Sequence, residues 1–406
     1  MALLPVVDAV ARLLNAAKPI DATQTVPLMS ANQRVLATEV AARLTQPPFD
    51  ASAMDGYAVR SADVASIGTR LSVIGESAAG KGFAGEIQPG EAVRIFTGAP
   101  VPAGADAVLL QEDATLHPGG VIENTFSVAS GRHIRPRGQD FSQGEFILHA
   151  GDILDPGRLM VAAAMNHPEV TVYRKPLVAL IATGSELVPP GAVLGEHQIV
   201  ASNTFAIAAL AQSAGADVLD LGIVPDDTAA ISAAVRAATD AKADVIVTLG
   251  GASVGDHDLV QSTLKGLGMV LDFWRIAMRP GKPLMVGSLG DTHVLGLPGN
   301  PVSSMVCALL FLEPLIAKLA RLPQPARERS AVTGTNLAAN DHRQDYLRAR
   351  VIRRADGTLE AHSYGKQDSS QMKIFANSDA LIVRPPGAAA LPAGSACPIL
   401  LLRDIV

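Results

Sequence analysis

Between Lys175 and Ser304, apolar strands alternate with amphipathic helices, and this alternation restricts the possible folds more than any other feature. "PLVALIATG" (176–184) and "ADVIVTLGG" (243–251) are apolar almost throughout, as strands covered on both faces must be. "DVLDLGIV" (217–224) and "HVLGL" (293–297) also read as strands. Helical stretches lie between them: "NTFAIAALAQSAG" (203–215), "DDTAAISAAVRAATD" (226–240) and "DHDLVQSTLKGLG" (256–268). The pattern predicts a three-layer α/β domain: a mostly parallel sheet, helices on both faces and right-handed crossovers.

The whole chain, 406 residues, is long enough for about two to four domains. It is 48% hydrophobic but only 4% aromatic, so its cores are built from Ala, Val, Leu and Ile. A net charge of −6 and the lack of a basic stripe argue against a nucleic-acid partner. Cys307 and Cys397 sit among apolar residues without metal-type spacing, which reads as two buried reduced thiols and fits the cytoplasm. The apolar N-terminus carries Asp8 and Arg12, and so reads as an amphipathic helix and not as a targeting segment. The long run after Ser304 is interrupted by Glu313, Pro314 and Lys318, so no membrane span is expected.

Elsewhere the texture differs. Residues 5–42 read as helical, with a break near Pro27–Gln33. Residues 70–150 show short strands between glycines and prolines, a small β-rich domain. Helix returns over 156–174, followed by the strand "VTVY". Beyond the linker "RLPQPARERS" (321–330), four alternating strands predict a C-terminal β domain. The expected division is a discontinuous linker domain (1–43 and 142–174), an inserted β-rich domain (44–141), the α/β domain (175–327) and the C-terminal β domain (328–406).

Ligands of open α/β sheets gather outside the carboxyl ends of the strands. The segments there are "TGSEL", "VPDD", "LGGASVGDHD", "AMRPGKP" and "GLPGNPVSS". In the last, Asn300 is a good N-cap, Pro301 suits the first helical position, and Ser303 lies in the first turn. With Pro298 and the neighbouring glycines this makes an oxyanion cradle, although the same stretch also reads as a plain capped turn. Gly250, Gly251 and Ser253 form a loop able to wrap a phosphate, without the closing Gly-Lys-Ser/Thr of a Walker A loop. Glu186, Asp226, Asp227, Asp256 and Asp258 would converge at one edge, where carboxylates near phosphates suit Mg²⁺; each alone also fits a cap or a solvated charge. Arg275, Arg279 and Lys282, on a turn stiffened by Pro280 and Pro283, form a candidate oxyanion clamp or simply a charged hairpin. The nine histidines are scattered and no Cys/His cluster exists. An anion-handling site made of turns, cations and carboxylates fits phosphoryl or adenylyl chemistry.

Six ordered segments, "AMDGYAVR" (53–60), "RIFTGAPVPAGADAV" (94–108), "TGSEL" (183–187), "GGASVGDHD" (250–258), "RPGKP" (279–283) and "GLPGNPVSS" (296–304), resemble the molybdopterin molybdenumtransferase (MoeA) family, which is similar to the E domain of gephyrin. The resemblance spans nearly the whole chain. It implies a four-part subunit ending in a β-barrel-like domain, and a homodimer whose β-rich domain faces the partner's α/β domain. The implied reaction inserts molybdenum from molybdate into adenylylated molybdopterin, with Mg²⁺-dependent release of AMP.

Carried over by position, Asp55 and Thr97 would serve the neighbouring subunit's site, and Asp140 matches a further acidic position. Glu186, Asp226 and Asp258 match positions implied in catalysis or Mg²⁺ handling. Arg279, Lys282 and Ser303 would hold molybdate or phosphate, with Pro298 and Pro301 shaping the loop; Arg348 and Ser369 match positions near the oxyanion. Departures are Ser185 in "TGSEL", Leu249 before the glycine pair, Gln139 in "GQDF" and "QDSS" in the last domain. A molybdopterin adenylyltransferase shares the α/β domain but lacks the other three, and a scaffold or cofactor-binding protein of the same fold is the non-enzymatic alternative. Partners implied by the resemblance are the adenylyltransferase of the preceding step and recipient apo-molybdoenzymes. Molybdate and tungstate are indistinguishable at this level.

Overall fold

A computed structural model describes residues 3–251 and 259–405. They fall into two compact units, Met1–Gln24 with Tyr173–Val406, and Thr25–Val172.

The larger unit contains the alternating region. Its elements are α1 (Val6–Ala16), β1 (Leu177–Thr183), α2 (Asn203–Ser213), β2 (Asp217–Val224), α3 (Thr228–Asp240), β3 (Val245–Leu249), α4 (Leu259–Gly266), β4 (Val270–Arg275), β5 (Pro283–Leu289) and β6 (Thr292–Leu297). The strands form one six-stranded sheet in the order β2-β1-β3-β6-β5-β4. β2, β1, β3 and β6 are mutually parallel; β5 runs against β6 and against β4. One face buries Val178, Leu180, Val245, Val247 and Leu249 with residues of α1, α2 and the helix after β6. The other buries Ala179, Ile181 and Ile246 against α3 and α4. Alternate residues of β1 and β3 therefore enter different cores, which explains why these strands are apolar throughout. Each such Val, Leu or Ile contributes about 1.5–3 kcal/mol by burial.

α5 follows β6 and runs through Pro301–Leu319. It is long and apolar enough to cross a membrane, yet most of it is packed inside the unit. Its middle, Ala308–Leu312, widens into a π-turn just before Pro314. Proline has no N–H for the i→i−4 bond and its ring crowds that carbonyl, so a local change of winding is the expected response.

Beyond α5, strands Glu328–Thr333, Gln344–Arg353, Leu359–Ser363, Ala380–Arg384 and Ala396–Leu401 close on themselves as a five-stranded barrel. The two-residue strand Met278–Arg279 leaves the α/β part and pairs in parallel with Gln344 and Asp345. Both cysteines are free and buried.

In the smaller unit, six strands between Gly56 and Asn124 form a mixed sheet around Tyr57, Val59, Leu71, Leu109 and Ile122. A second core joins Leu36 and Val40 to Phe141, Leu148, Leu154 and Met165, so the two ends of this unit pack together. The helix Pro156–Ala164 starts at Asp155, whose carboxylate accepts the Arg158 N–H.

The N-terminal expectation needs correction. Only Val6–Ala16 of the stretch 5–42 is a regular α-helix; Thr23–Pro27 is a strand. Pro19 and Pro27 bracket β-branched Thr23, Thr25 and Val26, a composition that disfavours helix. α1 itself, placed with the linker by the sequence division, packs into the α/β core through Val6, Ala9 and Leu13.

Candidate active site

The parallel strands deliver four turns to one edge of the sheet: 184–186, 225–227, 250–251 and 298–300. β4 is parallel to them and β5 antiparallel, so the connecting segment 276–282 reaches the same edge. All five loops predicted to meet there do so, apart from Ser253, Asp256 and Asp258, which lie outside the described residues.

The glycine turns are close-fitting. Gly250 has φ +104°, and a Cβ there would lie 2.7 Å from the Thr183 carbonyl oxygen. Its N–H donates to the Leu297 carbonyl at 3.1 Å. A Cβ on Gly299 would come within 3.9 Å of the Gly250 Cα, so the two turns lie side by side. Pro298 is buried, while Gly299 and Asn300 are exposed. Beneath them, the hydroxyls of Thr183, Thr248 and Ser304 are buried without a hydrogen-bond partner.

Asn300 is the N-cap residue by position, but its side chain makes no cap bond. Its amide instead donates to the Ser369 hydroxyl at 3.0 Å, and the Ser369 carbonyl accepts the Val302 N–H at 3.1 Å. The first turn of α5, with Pro301 and the buried Ser303, is thereby tied to the barrel segment 367–370. Arg348 belongs to the same cluster. It is 1% exposed, and its Nε and Nη1 donate to the Gln367 side chain (3.0 Å) and the Asp368 carbonyl (2.7 Å). Burial pushes its pKa below the ordinary arginine range, although the nearby Asp368 charge opposes this. Among the described residues it forms no ion pair within 4 Å: these hydrogen bonds go to neutral oxygens, and the Asp368 charge acts from farther away.

The other cations differ. Arg275 stacks on the Trp274 ring, 4.4 Å from its centroid, and its Nε is buried without a partner. Arg279 pairs with Asp345 and lies 3.5 Å from both Asp341 and Asn340. Lys282 is exposed and forms no ion pair among the described residues.

Of the carboxylates, Asp227 is a helix cap, accepting the Ala230 N–H at 2.8 Å. Asp226 and Ser185 exchange two hydrogen bonds, each 3.2 Å. Glu186 folds back over Gly184. Both Glu186 and Asp226 are exposed and form no ion pair among the described residues.

In the smaller unit, Asp55 accepts the Thr97 N–H at 2.7 Å and the Thr97 hydroxyl at 2.8 Å. These bonds, the backbone one above all, hold the Asp55 pKa below the ordinary carboxylate value. A lowered folded pKa contributes stability that is present above the unfolded pKa and lost as pH falls through the folded one. Thr97→Val should therefore move the Asp55 titration upward, so that this stability is lost at a higher pH. Carboxyl NMR through an acid titration checks this; an unmoved midpoint would mean that the Thr97 hydroxyl contributes nothing and the backbone N–H, which the variant keeps, sets the shift. Asp140 is exposed, and its N–H donates to the carbonyl of Gln46, far away in sequence, at 3.0 Å.

Three supporting residues escape sequence reasoning. Gln367 orients Arg348, Asn203 donates to the Gly299 carbonyl at 2.8 Å, and Asp345 holds Arg279. Each lies far along the chain from the residue it supports, and no local pattern marks it.

Comparison with known proteins is consistent along the chain. Residues 4–166 match the MoeA N-terminal region (domains I and II), 179–318 the probable molybdopterin binding domain, and 330–402 the MoeA C-terminal region (domain IV). A molybdopterin molybdenumtransferase of Haemophilus influenzae is 38% identical over 89% of each chain. The molybdopterin molybdenumtransferase 2 of Mycobacterium tuberculosis is 37% identical, covering 95% of this chain and 96% of its own. A crystal structure of the molybdopterin biosynthesis MoeA protein from Pyrococcus horikoshii superposes with a TM-score of 0.82 at 28% identity, covering all of both chains.

Proposed function

This chain belongs to the MoeA family of molybdopterin molybdenumtransferases, enzymes of molybdenum cofactor biosynthesis, and on that premise we propose that it transfers molybdenum from molybdate to adenylylated molybdopterin with Mg²⁺-dependent release of AMP. The observation that carries the reading is the tie between Asn300 and Ser369, which joins the α5 cradle to the segment holding the buried Arg348, a cation with no ion-pair partner among the described residues. Lys282 adds an exposed positive charge at the same edge of the sheet.

The chain's own groups divide the work. The exposed backbone N–H groups of Gly299 and Asn300, with Lys282, hold oxyanions in place before reaction, so no reorganisation is needed as charge develops. Preset geometry of reacting groups lowers the barrier further. Glu186 and Asp226 fit Mg²⁺, being exposed oxygen donors that form no ion pair among the described residues. Among the described residues no group of three or more candidate ligands assembles, so water and substrate phosphate would complete the shell. When bound, the ion neutralises phosphate charge at the bond that releases AMP. Asp55 and Thr97, with Asp140, are proposed to complete the site of the partner in a homodimer.

The test is AMP release from adenylylated molybdopterin with Mg²⁺, with and without molybdate. Molybdate-dependent release is expected. Release that ignores molybdate would sink the coupled mechanism, and activity with ATP and unadenylylated molybdopterin would make the chain an adenylyltransferase.

A further inference from the structure

The segment 276–283 is fastened at three points. Met278 and Arg279 pair with Gln344 and Asp345 as a two-residue parallel strand. The Lys282 carbonyl accepts the Ile276 N–H at 3.2 Å, closing the loop on itself. Gly281 rests on the core, where an added Cβ would lie 2.6 Å from the buried Cys307 sulfur.

The charges on this segment are unequal. Asp345 is 3% exposed; one of its oxygens pairs with Arg279 and the other is buried without a partner. Asp341 sits 3.5 Å from Arg279 and 2.8 Å from Arg343. Arg279 and Arg343 thus face Asp341 and Asp345, and this group of four carries no net charge. Lys282, three residues along, has no carboxylate within 4 Å among the described residues. An arriving anion is attracted by the uncompensated Lys282 far more than by the compensated Arg279.

We propose that Asp345 is a positioning residue of the anion site, holding Arg279 as a structural tie so that the 279–283 turn presents Lys282 to the oxyanion. The proposal rests on the functional reading above and departs from the resemblance, in which Arg279 itself would hold molybdate or phosphate.

The sign of one measurement separates the two roles. If Arg279 contacts the anion, removing the negative charge of Asp345 frees its positive charge and tightens binding. If Arg279 is a tie, the same change loosens the turn and weakens binding. Molybdate is titrated calorimetrically into the full chain and into its Asp345→Asn and Arg279→Lys variants, and amide hydrogen exchange over 276–283 is followed without ligand. Both variants are expected to bind molybdate about ten- to a hundredfold more weakly, as for changes to groups that orient a ligand-binding residue. Exchange over 276–283 should rise in both. Unchanged or tighter binding in Asp345→Asn, or unchanged exchange, overturns the proposal. If Asp345→Asn does not fold, Arg279→Lys decides: it keeps the charge, so binding retained at full strength overturns the tie. Failure of the unaltered protein to bind molybdate would remove the functional reading, while the exchange result still decides whether Asp345 holds the turn.

Discussion

Arg327→Met should destabilise the protein by about 3–5 kcal/mol, the cost of leaving a buried carboxylate without its cation. Glu313, in α5, is 7% exposed and accepts two hydrogen bonds from Arg327, at 2.7 and 2.6 Å. Arg327 also donates to the Leu401 carbonyl at 2.9 Å, linking the helix to the last barrel strand. The cost comes from the charge left behind more than from the lost contact. The double variant Glu313→Leu with Arg327→Met should therefore recover much of the loss, because no buried charge remains. Urea unfolding of the three proteins measures both effects. A small loss in the single variant, or a double variant less stable than the single one, would show that Glu313 is not held as a buried ion.

Gly250→Ala should lower kcat/KM for molybdate-dependent AMP release by about a hundredfold, the scale set by misplacing a group by an ångström in an active site. Two causes act together. At φ +104° a Cβ is strained, and this one would meet the Thr183 carbonyl at 2.7 Å, forcing the turn outward from β1. Gly299 on the adjoining turn approaches Gly250 closely, so displacement reaches the cradle as well. Gly268→Ala is the control. Its φ is +98°, but nothing lies within 4 Å of an added Cβ. Both variants carry a backbone cost of about 1–3 kcal/mol, which thermal unfolding should register. Only Gly250→Ala should lose activity. Equal activity in the two would mean that the turn does not shape the site.

Much of the architecture was legible because the signals are local and repeated. β1 and β3 announce burial on both faces by being apolar throughout, Gly184 and Gly250 mark where each ends, and the Asn-Pro pair at 300 and 301 marks the start of α5. The stretch 5–42 reads as helix with a break near Pro27–Gln33, but only Val6–Ala16 is a regular α-helix, because Pro19, Pro27 and the β-branched residues between them disfavour one. Asp227 and Asn300 show the limit for single residues. Both sit at N-cap positions, yet Asp227 caps its helix and Asn300 turns its amide to Ser369. Cap propensity alone does not separate the two, since the competing partner of Asn300 lies 69 residues away.

The sequence alone determined the layered α/β sheet, its carboxyl edge and the chemistry available there, because hydrophobic period, turn residues and charge type are properties of neighbouring residues. Tertiary structure alone decided which charges are free. Arg279 and Lys282 share one short turn and one sign, but only Arg279 meets Asp345, which a parallel strand pair brings beside it. Arg348 stands 66 residues from Lys282 and is tied to the cradle after β6 through Ser369 and Asn300. A side chain's charge is written in the sequence, but its compensation depends on what lies within a few ångströms, and that is set only when distant segments pack.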